Sequence, residues 1–151
     1  MKVGVLFPSR FEDPGEFLAD ARAMEAAGVD SVWIEETGDG LDPMLVLAAI
    51  AAVTSQLRLG LVLDGSPSPL WEGSGRRYET LEQISRHRLV LASEHWKRVE
   101  VPADRDAWAK TLEAADGSAD GVLVPLDPRL LDILRHPHDV IDRSDLILAQ
   151  G

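Results

Sequence analysis

Two adjacent carboxylates, Glu35 and Glu36, stand where the apolar run SVWI ends and the glycine-rich turn TGDG begins. A carboxylate can transfer protons in a reaction, or it can accept hydrogen bonds from a ligand. Successive side chains of an extended strand point to opposite faces, so these two carboxylates cannot act as one cooperating pair. We expect one of the two to face a ligand alone.

Other residues that could bind a ligand or transfer a proton also follow short apolar runs. They are Ser9 after KVGVLF, then Asp64, Gly65 and Ser66 after LRLGLVL, and Glu94, His95 and Trp96 after RLVLAS. The histidine titrates near neutral pH, and a tryptophan in a loop can stack on a ring ligand. These three groups, together with Glu35 and Glu36, form the list of candidate functional residues.

A single basic cluster stands out in this acidic chain. Its members are Arg76, Arg77, Arg86, His87 and Arg88. Clustered arginines can bind a phosphate, and for that reason Arg76 is a candidate cofactor-binding residue. However, Tyr78, Leu81 and Ile84 lie at helical spacing, so the same arginines can also be the solvated side of a helix.

Composition and charge limit the possible partners. The chain has 15 basic and 26 acidic residues, and its net charge of -11 disfavours nucleic acid and anionic membrane surfaces. It has no cysteine, and the run HPHD completes no recognised ligand set, so no metal site is predicted. The longest apolar run, MLVLAAIAAV, is far shorter than the ~20 residues of a membrane helix. We expect a soluble, cytoplasmic protein that binds a small-molecule substrate.

Short apolar runs alternate with helical periods along the chain, which is typical of a parallel sheet built from βα units. The predicted strands cover residues 2–7, 31–36, 57–63, 88–93, 121–126 and 145–149. Asp13-Pro14, Asp42-Pro43 and Asp127-Pro128 each follow or lead from a strand and predict helix starts. We expect residues 1–151 to form one α/β domain with about six parallel strands. Its sheet is either an incomplete TIM-like (β/α) barrel or an open doubly wound sheet, and both folds place function after the C-terminal strand ends.

Three segments together resemble a known family. AAGVDSVWIEE, DPMLVLAAIAAVTSQLRLG and TLEQISRHRLVLA follow, in order and spacing, the N-terminal half of the bacterial luciferase-like flavin and deazaflavin enzymes. The resemblance covers about residues 1–93 and implies a shortened, divergent member with a (β/α) barrel. It also implies a cofactor ring held at the C-terminal strand ends, and commonly a dimer.

The resemblance assigns roles residue by residue. Glu36 matches the acid of the family's Glu-His pair, and Thr37 stands in place of the histidine, with His95 as the nearest substitute. By this resemblance we expect Glu36 to face the ligand, and Glu35 either to pair with an arginine or to lie at a subunit contact. Ser85 and Arg88 match a Ser-x-Gly-Arg pattern in which His87 replaces the glycine. The implied cofactor is FMN or 8-hydroxy-5-deazaflavin (coenzyme F420), bound weakly because of the acidic charge.

Three functions remain open. The leading hypothesis is a luciferase-like monooxygenase type of oxidoreductase in which Glu36 and His95 handle protons. In that hypothesis Asp64 and Ser66 orient the ligands, Trp96 stacks on the ring, and Ser9, Gly65, Glu94 and Arg76 contribute to the cofactor site. The alternatives are a non-catalytic binding or partner subunit and a cofactor-free acid/base enzyme. In each case we expect a homodimer whose contact includes the apolar helix at residues 44–53.

Overall fold

The computed structural model describes residues 1–63, 65–67, 75–91 and 93–134 of the chain. Strands and helices alternate through most of this range, as the sequence predicts. The elements are β1 Lys2–Phe7, α1 Pro14–Ala26, β2 Ser31–Glu36, α2 Pro43–Val53, β3 Arg58–Leu63, β4 Ser66–Pro67, α3 Arg76–Ile84, β5 Trp96–Arg98, α4 Arg105–Ala115, β6 Gly121–Pro125 and α5 Leu130–Leu134. No helix within these ranges is long and apolar enough to cross a membrane.

The strands form one sheet in the order β4-β3-β2-β1-β6-β5. The five strands from β3 to β5 in this order are mutually parallel, and only the two-residue β4 runs antiparallel, against the end of β3. The sheet is curled like half of a barrel. This arrangement confirms the predicted α/β class and the incomplete barrel type of sheet.

Aspartates begin the first two helices as the sequence predicts. The Asp13 carboxylate accepts hydrogen bonds from the backbone N–H groups of Gly15 and Glu16, at 2.9 and 3.3 Å. Asp42 caps α2 in the same way, since its carboxylate accepts from the N–H of Met44 at 2.9 Å. Both caps satisfy helix N–H groups that have no partner within the helix, and the prolines that follow preset the first turn.

The two faces of the sheet have different cores. On the outer face, Val5, Val32 and Leu59 are fully buried against side chains from α1, α2 and the other helices. On the inner face, the described strand residues pack against one another and Val90, and this second core contains Trp33, Val62, Trp96 and Leu123. The described helices therefore cover the outside of the curl, as in a barrel.

Two tryptophans fill the inner face. The rings of Trp33 and Trp96 meet edge to face with centroids 5.1 Å apart, and both residues are at most 5% exposed. Glycines provide the room for them, because a Cβ on Gly60 would lie 2.2 Å from Trp33 and a Cβ on Gly121 would lie 2.3 Å from Trp96. Only glycine lets a backbone approach an aromatic ring so closely.

The structure corrects one predicted strand. In place of a strand at 88–93, the described residues there make a single parallel bridge, between Leu89 and Leu59, and the next strand is Trp96–Arg98. Trp96 therefore begins a strand and does not lie in a loop. The predicted strand at 145–149 lies outside the described residues.

The short segment from Leu89 to Trp96 forces the sheet to curl. Leu89 pairs beyond β3, and Trp96, seven residues later, lies in β5 at the other end of the sheet. In a flat sheet these positions would be five strand spacings, or roughly 24 Å, apart. Seven fully extended residues span at most roughly 25 Å, and a turn in which the N–H of Glu94 donates to Leu91 shortens the path further. Only a curled sheet brings the two positions within reach.

A cluster of charges on the N-terminal side holds the curl. The Glu94 carboxylate accepts hydrogen bonds from the Arg58 guanidinium at 2.9 and 3.0 Å and also pairs with the Lys2 ammonium. Arg58 lies on β3 and Lys2 on β1, with β2 between them, while Asp30 accepts a further bond from Arg58 at 2.9 Å. Burial opposes ionisation of Glu94, but its bonds to Arg58 and Lys2 outweigh burial and lower its pKa to about 2. We call these four residues the Glu94 cluster.

Candidate functional site

Glu35 and Glu36 leave β2 on opposite faces. Glu35 has the same parity as Ser31 and Trp33, so it points to the inner face of the sheet, and its carboxylate meets Arg98 of β5. Glu36 has the parity of Val32 and Ile34, which face the helices. The sequence therefore predicts correctly that the two acids cannot form one pair.

Glu35 lines a cavity at the C-terminal rim, the edge formed by the ends of β1, β2 and β6. The cavity has a volume of about 320 Å³. Its lining residues are Leu6, Phe7, Pro8, Ser9, Glu35, Thr37, Pro125 and Leu126. Ser9, which was predicted from its position after β1, is thus brought together with one of the two strand-end carboxylates. We call this space the rim cavity.

Arg98 holds Glu35 from across the sheet. Its Nη1 lies 3.5 Å from the Glu35 carboxylate and donates a hydrogen bond to the backbone oxygen of Gly65 at 3.3 Å. These contacts join β5, β2 and the turn after β3 over the inner face. Arg98 could not be predicted from the sequence, because the three-residue strand WKR carries no apolar pattern that would indicate a strand. Gly65 contributes its backbone oxygen to this arrangement.

Glu36 belongs to a second cavity, of about 340 Å³, on the helix side of β2. Asp42, Met44, Leu61 and Arg77 also line this space. Arg77 forms an ion pair with Asp42 at the start of α2, while the Glu36 carboxylate accepts the N–H of Gly38 at 2.9 Å. The two acids therefore face two different cavities.

Thr37 has a structural contact of its own. Its hydroxyl accepts a hydrogen bond from the N–H of Gly40 at 3.1 Å, and Leu41 donates its N–H to the backbone oxygen of Ser9 at 3.0 Å. A Cβ on Gly40 would lie within 3.0 Å of both Thr37 and Ser9. The loop after β2 is therefore closely packed against the loop after β1, and Thr37 shapes the rim as a turn residue.

Glu94, His95 and Trp96 lie at the edge opposite the rim. The predicted strand at 88–93 would have placed them at its C-terminal end, but they stand at the N-terminal end of β5, where the His95 N–H donates to the Asp120 carboxylate at 2.6 Å. The structure does not bring Glu36 and His95 together. The Glu94 carboxylate is already bonded to Arg58 and Lys2 within the Glu94 cluster. The Trp96 ring packs on Trp33, and its Nε1 has no hydrogen-bond partner among the described residues. The proton-handling roles of Glu36 and His95 stay predictions.

The predicted basic cluster separates into different roles. Arg88 donates to the backbone oxygens of Ala51, Thr54 and Leu57 at 2.6–3.1 Å, so it caps the C-terminal end of α2. Desolvation of its partly buried guanidinium lowers the pKa of Arg88. Arg76 is exposed at the start of α3, beside a groove of about 160 Å³ between α2 and α3. The cluster is thus mainly structural, and a role for Arg76 in cofactor binding stays a prediction.

The remaining predicted residues are partly outside the described ranges. Asp64 and the HPHD run lie outside them, and Ser66 is in β4, where its backbone pairs with Leu63. Within the described ranges, no group of three or more histidine, aspartate or glutamate side chains is arranged to hold a metal ion.

The rim cavity suits a flat ring better than a phosphate. Its walls are mainly apolar, from Leu6, Phe7, Pro125 and Leu126, and its volume of about 320 Å³ is at the lower end of small-molecule sites. The residues that line it include one carboxylate, Glu35, and no cation. An uncharged flat ring is therefore compatible with these described residues, whereas an anionic group would be repelled by Glu35.

A known protein family matches this chain. The luciferase-like monooxygenase family model matches residues 1–92, which is more than half of the chain. The matched part includes β1, β2 and β3 with their C-terminal loops, and therefore Ser9 and Glu35 of the rim cavity. No curated protein matches the chain.

Proposed function

We propose that this chain, which belongs to the luciferase-like monooxygenase family, is an oxidoreductase that binds a flavin or deazaflavin ring in the rim cavity and acts on a small organic substrate. The observation that carries this proposal is the rim cavity itself. It lies at the C-terminal ends of parallel strands, where barrel enzymes hold their reactive groups, and it joins apolar walls to a single carboxylate. The family match supports the flavin type of chemistry in general.

The chain's own residues would bind and orient the ring. Leu6, Phe7, Pro125 and Leu126 would pack against its faces and exclude water, and Ser9 would offer a hydroxyl at its edge. When bound, the flavin or deazaflavin would supply the electron transfer, since no amino-acid side chain of this site can do so. The net charge of -11 opposes an anionic cofactor, so we expect weak binding of FMN or 8-hydroxy-5-deazaflavin.

A titration tests the proposal directly. Purified protein is added to riboflavin, FMN and the deazaflavin, and the fluorescence of each ring is followed. We expect saturable quenching by all three, with FMN weaker than riboflavin because of its phosphate, and a protein that is colourless as purified. The proposal fails if none of the three binds up to its solubility limit.

A non-catalytic binding or partner subunit is the second candidate, and one observation favours it. The two described histidines, His87 and His95, both lie away from the C-terminal rim, and the Thr37 hydroxyl is used by its own turn. No described histidine therefore stands at the rim, and histidine is the side chain best suited to transfer protons near neutral pH. Oxygen consumption by reduced FMN separates the candidates: an oxidoreductase changes the rate when protein is added, whereas a binding subunit leaves it unchanged.

We also propose a homodimer through α2. This helix, PMLVLAAIAAV, contains no charged residue, and Leu45 on it is 67% exposed. The neighbouring groove is lined by Leu45 and Ala48 of α2 and by Thr80 of α3. Exposed apolar side chains grouped in this way indicate a surface that another protein covers. The same apolar helix in a second copy of the chain would pack against this surface.

A further inference from the structure

Resting on the proposed function, we infer that Glu35, held by Arg98, accepts the N–H of the ring's imide edge, on which that N–H stands between two carbonyl groups. This edge is common to flavins and deazaflavins. The inference thus names the part of the ligand that the rim cavity distinguishes, and it assigns Arg98 as the residue that positions Glu35.

The chemistry of the pair supports this class of ligand. An ionised carboxylate only accepts hydrogen bonds, and a guanidinium only donates them. Glu35 lines the rim cavity, whereas Arg98 lies 3.5 Å from its carboxylate and is not one of the lining residues. The N–H of an imide edge is a donor and is complementary to the Glu35 carboxylate.

The charges of the pair argue against a phosphate or carboxylate ligand here. Glu35 offsets the charge of Arg98, and among the described residues it is the one charged side chain that lines the rim cavity. An anion approaching Arg98 would also meet the Glu35 carboxylate, at a cost in free energy. A neutral ring with adjacent N–H and C=O groups avoids that repulsion.

The position of the pair also fits a ring that packs on the apolar walls. Glu35 reaches the rim cavity from β2, while Leu6 comes from β1 and Pro125 from β6, the strands beside it in the sheet. Arg98 is fixed by two contacts, to Glu35 and to the Gly65 backbone oxygen, so it can hold the carboxylate in one orientation. A preorganised acceptor loses less freedom on binding than a mobile one.

The test uses two ligands that differ in one group. Riboflavin has the imide N–H, and riboflavin methylated on the imide nitrogen lacks it. We expect wild-type protein to bind the methylated form about tenfold more weakly, the loss of one good hydrogen bond. Glu35→Ala should weaken the binding of riboflavin by about the same factor and abolish the difference in affinity between the two ligands. Arg98→Met should weaken the binding of riboflavin severalfold and reduce that difference in affinity.

Two further variants control for charge and for position. Asp39→Ala removes one negative charge from the exposed loop after β2 and should leave the tenfold difference intact. Glu36→Ala removes the neighbouring carboxylate on the opposite face of β2 and should also leave it intact. If Glu36→Ala abolishes the difference and Glu35→Ala does not, our inference is wrong and Glu36 is the residue that faces the ring.

The outcomes separate this inference from the proposed function. If wild-type protein binds both ligands equally, the function stands and the inference is overturned. If it binds neither, the proposed function is overturned and the inference with it. Should Glu35→Ala fail to fold, the comparison of the two ligands on wild-type protein still decides.

Discussion

Replacing Glu94 by glutamine tests how the curled sheet is held. The Glu94 side chain is 9% exposed and pairs with Arg58 and Lys2, and these bonds, despite opposition from burial, lower its pKa from 4.5 to about 2. A difference of this size between the folded and unfolded states corresponds to about 3 kcal/mol of stability at neutral pH. Glutamine keeps the shape but not the charge, so we expect the variant to lose about that amount at pH 7.

The difference in stability between wild type and Glu94→Gln should depend on pH in a definite direction. A carboxylate whose pKa is lowered on folding stabilises the protein above its unfolded pKa of about 4.5, and it loses that effect as the pH falls through about 2. The stability gap between wild type and Glu94→Gln should therefore be constant from pH 7 to about pH 5. It should then shrink steadily towards pH 2.

Urea denaturation followed by tryptophan fluorescence measures the gap at each pH. Glu100→Gln is the matched control, since Glu100 is exposed in the loop after β5 and should change stability little at any pH. A gap below about 1 kcal/mol at pH 7 is the size expected of a surface pair. Such a gap, or one that does not change with pH, would refute the claim that the Glu94 cluster holds the sheet closed.

Three other changes test separate parts of the structure. Gly60→Ala should lower the free energy of unfolding by 1–3 kcal/mol or more in urea denaturation, because its Cβ would lie 2.2 Å from Trp33; an unchanged midpoint would contradict this packing. His87→Gly should raise stability by roughly 0.5–1 kcal/mol in the same assay, because His87 has a φ of 62°, which favours glycine; a loss of stability would mean that its contact with Glu82 matters more. Leu45→Arg should shift the mass measured by light scattering from dimer to monomer at micromolar concentration. The substitution should not lower the melting temperature of the monomer itself. If the wild-type protein has a monomeric mass in this measurement, the proposed dimer is refuted.

The sequence predicted the elements whose signals are local. The bounds of β1 and β2 agree with the predicted strands, and Asp13 and Asp42 cap helices where the Asp-Pro pairs predicted them. These features depend on residues a few positions apart, such as alternating β-branched side chains and a carboxylate within reach of the first helix N–H groups. Even the left-handed conformation of His87 agrees with the glycine that the family resemblance placed there.

The error at residues 88–93 has a physical cause. RLVLAS has the composition of a strand, but among its described residues only Leu89 pairs with a neighbour, while the less apolar WKR forms β5 because it pairs with β6. Strand formation depends on a partner far along the chain, and that partner is decided by how the sheet closes. No local pattern contains this information.

The candidate site shows the same division. Because side chains alternate along a strand, the sequence by itself determined that Glu35 and Glu36 face opposite sides. Only the tertiary structure decided which acid lies on the inner face, since the curl of the sheet makes the face of Trp33 the inner one. The curl also brings Arg98 to Glu35 from a strand more than sixty residues away. Which of the two acids lies on the inner face thus depends on long-range packing of two tryptophans against glycines, and that packing is a property of the curled sheet and of no single segment.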